Sequence, residues 1–118
     1  MTRYNQDFSF YKGESKIVRF NTTGIDDIDN ITDIKFEATD IDDREVNEIE
    51  KFLDNGISVS SGSNDVVYID VKINATDIEG LEEDILIHEV KVMEEVSGEE
   101  FITVVAKGQM KVRKSIIS

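Results

Sequence analysis

The feature that most constrains the fold is a recurring alternation of apolar and polar side chains with a period of two. It is clearest in residues 66–73. Four β-branched residues there fall on one face: Val67, Ile69, Val71 and Ile73. Successive side chains of a strand point to opposite faces, so this pattern predicts a strand with one buried face. Similar runs occupy residues 8–20, 31–39, 57–60, 84–94 and 101–112.

Seven or eight such runs, with few helical patterns between them, predict an all-β sandwich. The chain has 118 residues, no proline and seven glycines that are scattered singly. Single glycines between apolar runs are typical of turns rather than linkers, and this length suits one hydrophobic core. Residues 1–118 are therefore predicted to form a single domain.

Residues 44–55 are ambiguous. Apolar residues at helical spacing favour a short amphipathic helix near residues 45–54, ended by Gly56: Val46, Ile49, Phe52 and Leu53. The alternative strand would group Glu48 and Glu50 on one face with Val46, which is unfavourable if that face is buried. A helix of two turns is marginal without tertiary support, so the sequence predicts a helix or an irregular connection here.

Two glycines carry local predictions. Gly108 interrupts the strand pattern of residues 101–112, which predicts a β-bulge. Gly80 would close one helical turn, for which Thr76 and Asp77 are candidate capping residues.

Charge is unevenly distributed along the chain. The whole sequence has 26 acidic and 13 basic residues, a net charge of −13, which disfavours direct binding to nucleic acid. Both ends are nonetheless basic, and residues 107–118 contain four basic residues and no acid. If the first and last strands are neighbours, one end of the domain presents a positive surface to an acidic partner protein. The predicted docking residues are Phe10, Tyr11, Lys12, Lys111, Arg113 and Lys114. The alternative is that these charges only keep the domain soluble and monomeric.

Membrane and disulfide signals are absent from the sequence. No apolar run reaches the 18 residues of a membrane-spanning helix, and the first residues lack the apolar centre of a signal peptide. The chain also has no cysteine. We expect a protein made in the cytoplasm, with no membrane partner.

Catalytic motifs are missing as well. His88 is the only histidine, without a second histidine for a metal or a serine-based nucleophile motif. A packed or surface strand residue is the better interpretation of His88 than a general base. No glycine-rich phosphate loop is present. The sequence therefore predicts no catalytic residue, no cofactor and no enzymatic activity.

Two acidic loops are the only candidates for a metal site. Their carboxylates are weak candidates for binding Ca²⁺: Asp26, Asp27, Asp29, Asp40, Asp42 and Asp43. Neither loop has the alternating oxygen ligands of the helix-loop-helix calcium site. Ile28 and Ile31 interrupt the first loop, and Arg44 occupies a ligand position in the second. We predict solvated loops and no metal.

Three groups of motifs follow one another along the chain. The first is Asp7-Phe8-x-Phe10-Tyr11-Lys12-Gly13-Glu14-Ser15 with Ile17-Val18-x-Phe20. The second is Thr76-Asp77-Ile78-Glu79-Gly80-Leu81 with Leu86-x-x-Glu89-Val90-x-Val92. The third is Gly108-Gln109-Met110-Lys111-Val112. In this order they resemble small immunoglobulin-like domains of tailed-phage virions, such as the N-terminal domain of the phage baseplate upper protein family. The chain departs from that family in having His88 where a tyrosine is usual, and in its acidic middle.

The resemblance implies an immunoglobulin-like antiparallel β-sandwich of about seven to eight strands. It also implies a structural virion protein: a tail, baseplate or fibre adaptor, or a capsid decoration. Its partners would be other virion proteins in a symmetric, multi-copy assembly, and no catalytic residue carries over. Two alternatives remain, an adhesin-like module that binds Ca²⁺ or carbohydrate and an acidic mimic of DNA.

Overall fold

The computed structural model describes residues 4–25, 27–40, 47–80 and 84–113. These residues form nine strands, one 3-10 turn at Ile28–Asn30 and one short helix. The first four strands are β1 Tyr4–Asn5, β2 Phe8–Tyr11, β3 Lys16–Thr22 and β4 Ile31–Asp40. They are followed by β5 Asn47–Leu53, β6 Gly56–Ser61, β7 Val67–Ile73, α1 Ala75–Ile78, β8 Asp84–Val96 and β9 Glu99–Arg113. The predicted all-β class is confirmed.

The strands are hydrogen-bonded in the order β1-β9-β8-β4-β5-β6-β7-β3, and β2 also pairs with β9. All strands belong to one sheet, in which β6-β7-β3 and β9-β8-β4 form two groups. They join where β5 and β6 pair in parallel over two residues each, so the whole sheet curls into a nearly closed barrel. The antiparallel prediction needs refinement, because β1 and β2 run parallel to β9 and β5 runs parallel to β6.

The helix predicted near residues 45–54 is wrong for residues 47–53, which form β5. This strand pairs antiparallel with β4, with Ile49 opposite Ala38. Ile49 is buried, whereas Glu48 and Glu50 are exposed, so the strand buries no carboxylate. The open edge of β4 supplies backbone partners that outweigh a marginal two-turn helix.

The core is built from alternate residues of strands in both groups. All four β-branched residues predicted to share a face of β7 are buried. Two aromatic rings from opposite groups meet at its centre, with the centroids of Phe20 and Phe36 6.3 Å apart. Ile78 of α1 is also fully buried, so the short helix covers one end of the core. The carboxylate of Asp77 accepts from the main-chain nitrogen of Asn74 at 2.7 Å, which confirms Asp77, but not Thr76, as a capping partner.

The longest feature of the molecule is the hairpin of β8 and β9. Its two-residue turn has positive φ at both Ser97 and Gly98, as a tight turn between twisted strands requires. The neighbouring β4 pairs with β8 only as far as Glu94, so the end of the hairpin extends beyond the sheet. The register shift lies between Val90 and Lys91. The bulge predicted at Gly108 is therefore wrong.

Candidate docking surface

The predicted docking residues come together because β2 lies parallel to β9. In this pairing Ser9 is opposite Lys111, and Tyr11 is opposite Arg113. Lys12 extends the contact, since its main-chain nitrogen donates to the carbonyl oxygen of Arg113 at 2.9 Å. The first and last described strands are thus neighbours, which was the condition for a positive surface at one end of the domain. We call Tyr11, Lys12, Lys111 and Arg113 the basic surface.

The charges of the basic surface are not neutralised by the rest of the described structure. Lys111 and Arg113 are exposed, and the ring of Tyr11 is 48% exposed. Several other lysines do have a carboxylate partner, for example Lys35 with Glu37 at 2.6 Å. Within residues 4–25, 27–40, 47–80 and 84–113, no carboxylate forms an ion pair with a cation of the basic surface. These cations are therefore available to a partner.

Two of the six predicted docking residues need comment. Phe10 is fully buried and packs edge-on against Phe8, with ring centroids 5.6 Å apart. Its side chain therefore belongs to the core and not to the surface, because it points inward between two outward-facing neighbours on β2. Lys114 lies outside the described residues.

Lys16 is a neighbour that sequence reasoning left out. Its Nζ donates to the carbonyl oxygen of Ser9 at 3.4 Å and lies 5.4 Å from the centre of the Phe10 ring. The carboxylate of Glu14 at 4.0 Å offsets part of its charge. Lys16 thus holds β3 against the outer edge of β2 and adds positive potential beside the basic surface.

The position of β2 depends on His88, which is buried in β8. Its ring contacts three aromatic rings, with centroid distances of 4.7 Å to Phe8, 5.6 Å to Phe20 and 5.8 Å to Phe36. Nε2 donates to the carbonyl oxygen of Gln6, and Nδ1 is buried without a partner in the described structure. The predicted packed strand residue is confirmed.

Burial lowers the pKa of His88 below its usual value of 6.5. The hydrogen bond to Gln6 and the nearby charges of Asp7 and Glu89 act in the opposite direction, raising the pKa, but are smaller. The imidazole is consequently neutral in the folded protein near neutral pH. In this state it ties the segment before β2 to the β8–β9 hairpin.

Gly108 makes room for the same segment. It lies opposite His88 in the hairpin, and a Cβ at this position would collide with the carbonyl oxygen of Gln6. The main-chain nitrogen of Gln109 donates to Oδ1 of Asp7 at 2.8 Å. The signal in the sequence was the glycine within a strand, which marks either a bulge or the close approach of another backbone. At Gly108 it marks the close approach of the Gln6 backbone.

The acidic loops give no metal site among the described residues, which contain no group of three or more candidate ligands. Asp27 instead caps the 3-10 turn, its Oδ1 accepting from the main-chain nitrogen of Asp29 at 2.9 Å. Asp40 ends β4. Asp26, Asp42 and Asp43 lie outside the described residues, so calcium binding by these loops stays an open alternative.

No protein-family model and no curated protein matches this chain. The similarity to phage baseplate domains therefore rests on the sequence motifs alone. No helix among the described residues is long and apolar enough to cross a membrane.

Proposed function

We propose that this protein is a structural module of a tailed-virus particle that docks on an acidic partner protein through its basic surface. It would serve in the tail, in the baseplate, as a fibre adaptor or as a capsid decoration. The assignment to a virus particle is supported by the three groups of sequence motifs. The docking mode is supported by the described structure.

The observation that carries the docking mode is the parallel pairing of β2 with β9. It brings together cations about 100 residues apart in the sequence and sets Tyr11 directly beside Arg113. Tyrosine and arginine are the residue types most often found at the energetic centres of protein interfaces. Both lie on paired strands rather than on loops, so little backbone conformational entropy is lost when a partner binds.

Charge indicates the chemistry of the partner. The basic surface is an exception on a chain with a net charge of −13. A second protein that meets this domain in the correct orientation should therefore present carboxylates to Lys111 and Arg113, and it would be repelled elsewhere. Such complementarity sets orientation and speeds association, and salt weakens it.

The experiment is charge reversal followed by analysis of purified particles. Arg113→Glu, alone and combined with Lys111→Glu, should reduce incorporation of the chain into particles. Lys72→Glu is the matched control, because it makes the same charge change at an exposed position of β7, away from β2 and β9. Circular dichroism and thermal melting would confirm that each variant folds.

Two results would contradict the proposal in different ways. Normal incorporation of the folded double variant would rule out docking through the basic surface. Absence of the wild-type chain from purified particles would rule out the structural role in the virion.

A further inference from the structure

The projecting end of the β8–β9 hairpin exposes apolar side chains. Val96 is 41% exposed, Phe101 48% and Ile102 62%. They are three of the five large hydrophobic residues found exposed among the described residues, the others being Tyr11 and Ile17. We call residues 94–102 the hairpin tip. Val96 and Phe101 lie on one face of the hairpin and Ile102 on the other, because successive side chains of a strand alternate. An exposed apolar pair with a polar rim is typical of a surface that contacts another protein.

The rim of the hairpin tip is entirely acidic. Four glutamates and no basic residue occur in it: Glu94, Glu95, Glu99 and Glu100. Glu95 and Glu100 lie directly opposite each other, and like charges in this arrangement destabilise a strand pair. Within the described part of the chain, none of the four forms an ion pair. Repulsion between these carboxylates therefore destabilises the tip in the isolated domain, and a basic partner would stabilise it.

The basic surface, which has the opposite charge, lies at the other end of β9. β9 runs from Glu99 at the tip to Arg113, and twelve strand steps separate Glu99 from Lys111. At about 3.3 Å per residue this separation is about 40 Å, most of the molecule's longest dimension of 50 Å. Screening at physiological salt acts over about 8 Å, so the two ends cannot neutralise each other within one molecule.

We propose that the hairpin tip of one copy docks on the basic surface of a second copy. Val96 and Phe101 would pack against the exposed Tyr11, and Glu94 and Glu99, which lie on the same face of the hairpin, would face Lys111 and Arg113. The inference rests on the proposed function, since it names a partner for the same basic surface. The contact is head-to-tail, so each pair keeps one free tip and one free basic surface. Further copies can therefore add to form a ring or an open array.

The contact is expected to be weak between isolated molecules. Two partly exposed apolar side chains supply less than the roughly 800 Å² per partner of a standard interface. Its strength should therefore depend on protein concentration and fall with salt. On a scaffold that holds many copies, effective concentration would reinforce each contact.

The test is sedimentation velocity of the full chain over a range of concentrations, at low and high salt. The wild type should show a sedimentation coefficient that rises with concentration, and high salt should suppress the rise. The tip variant combines Val96→Ser with Phe101→Ser, and the basic-surface variant combines Lys111→Glu with Arg113→Glu. Each should lose the rise. Ile17→Ser is the control, because it removes a side chain that is 63% exposed on β3 and should leave association unchanged.

Mixing the two variants tests the head-to-tail geometry. The basic-surface variant keeps an intact tip, and the tip variant keeps an intact basic surface, so an equimolar mixture contains one functional pairing. We expect a one-to-one dimer that grows no further. A mixture that stays monomeric, or variants that associate as the wild type does, would overturn the proposal.

The outcome also separates this inference from the proposed function. A wild type that is monomeric under all conditions, together with loss of the basic-surface variant from particles, would overturn self-association and leave docking on another protein intact. Head-to-tail dimers in the mixture, together with normal incorporation of the basic-surface variant, would overturn docking on another protein and leave self-association intact.

Discussion

His88 donates a hydrogen bond from Nε2 to the main-chain oxygen of Gln6 at 2.5 Å. This bond joins two residues 82 positions apart and fixes the segment that leads into β2. Gly108 is the cross-strand partner of His88 and leaves room for the same carbonyl group. This contact, together with the backbone pairing to β9, positions β2 and with it the basic surface.

Replacing Gly108 should disturb the contact between the Gln6 backbone and the β8–β9 hairpin. A Cβ there would lie 2.7 Å from the carbonyl carbon of Gln6 and 2.8 Å from Oδ1 of Asp7, so the segment must move away from β9. We expect Gly108→Ala to lower the free energy of unfolding by about 1–3 kcal/mol, the usual cost of overpacking. Chemical denaturation would measure it. Gly80→Ala is the control, because a Cβ at Gly80 meets nothing within 4 Å; equal losses in the two variants would contradict the clash.

The stability of the protein should depend on the protonation of His88. Because burial lowers its pKa from 6.5, the unfolded chain binds a proton at higher pH than the folded one does. The free energy of unfolding should therefore fall as the pH drops from about 6.5 to the lowered pKa of the folded state, and this contribution should level off below it. His88→Phe should lack this dependence while keeping an aromatic ring in the cluster. Denaturation midpoints measured from neutral pH down to the range where carboxylates titrate would show this dependence. Midpoints of the wild type and of His88→Phe that change in parallel with pH would refute it.

Asp77 should contribute to stability through two contacts. Its Oδ2 accepts from the main-chain nitrogen of Asn74 at 2.7 Å and lies 2.8 Å from Nζ of Lys51. Asp77→Ala removes the cap of α1 and leaves the amine of Lys51, which is largely buried, without its partner. We expect a loss of about 1–2 kcal/mol in the free energy of unfolding. Thr76→Ala, at the exposed neighbouring position, should have little effect, and a similar loss there would argue against the cap.

Calcium should not stabilise the protein if the acidic loops are merely solvated. The Oδ1 atom of Asp27 is already used as a cap, and a calcium site needs six to eight converging oxygens. Differential scanning calorimetry with and without millimolar Ca²⁺ should give the same melting temperature. A cation that binds the folded state must raise stability by mass action, so an increase with Ca²⁺ but not with Mg²⁺ would favour the adhesin-like alternative.

The sequence predicted best where the pattern was long and its buried face was unambiguous. The alternation over Val67–Ile73 gave both the strand and its buried face, and the long strands flanking Gly98 were equally clear. It failed for residues 47–53, because Ile49, Phe52 and Leu53 also fit a helical spacing. Only the free edge of β4 decides between the two, and a local pattern contains no information about that edge.

The proposed docking surface shows the same division. The sequence established that both ends of the chain are basic, and it proposed Tyr11, Lys111 and Arg113 from this charge distribution and from the opening motif. It placed Phe10 on the wrong side, because the orientation of a four-residue strand depends on the neighbour with which it aligns. The parallel alignment with β9 turns Phe10 inward with Val112 and Tyr11 outward with Arg113.

The sequence by itself determined the strand class, the alternation that gives each strand a buried face, and the segregation of charge along the chain. These are local properties, since side-chain direction in a strand and net charge follow directly from residue order. The tertiary structure decided which strands are neighbours, the burial of His88 against Gln6, and the placement of the hairpin tip and the basic surface at opposite ends of β9. Those outcomes depend on backbone hydrogen bonds and packing between residues up to about 100 positions apart, which no local pattern encodes.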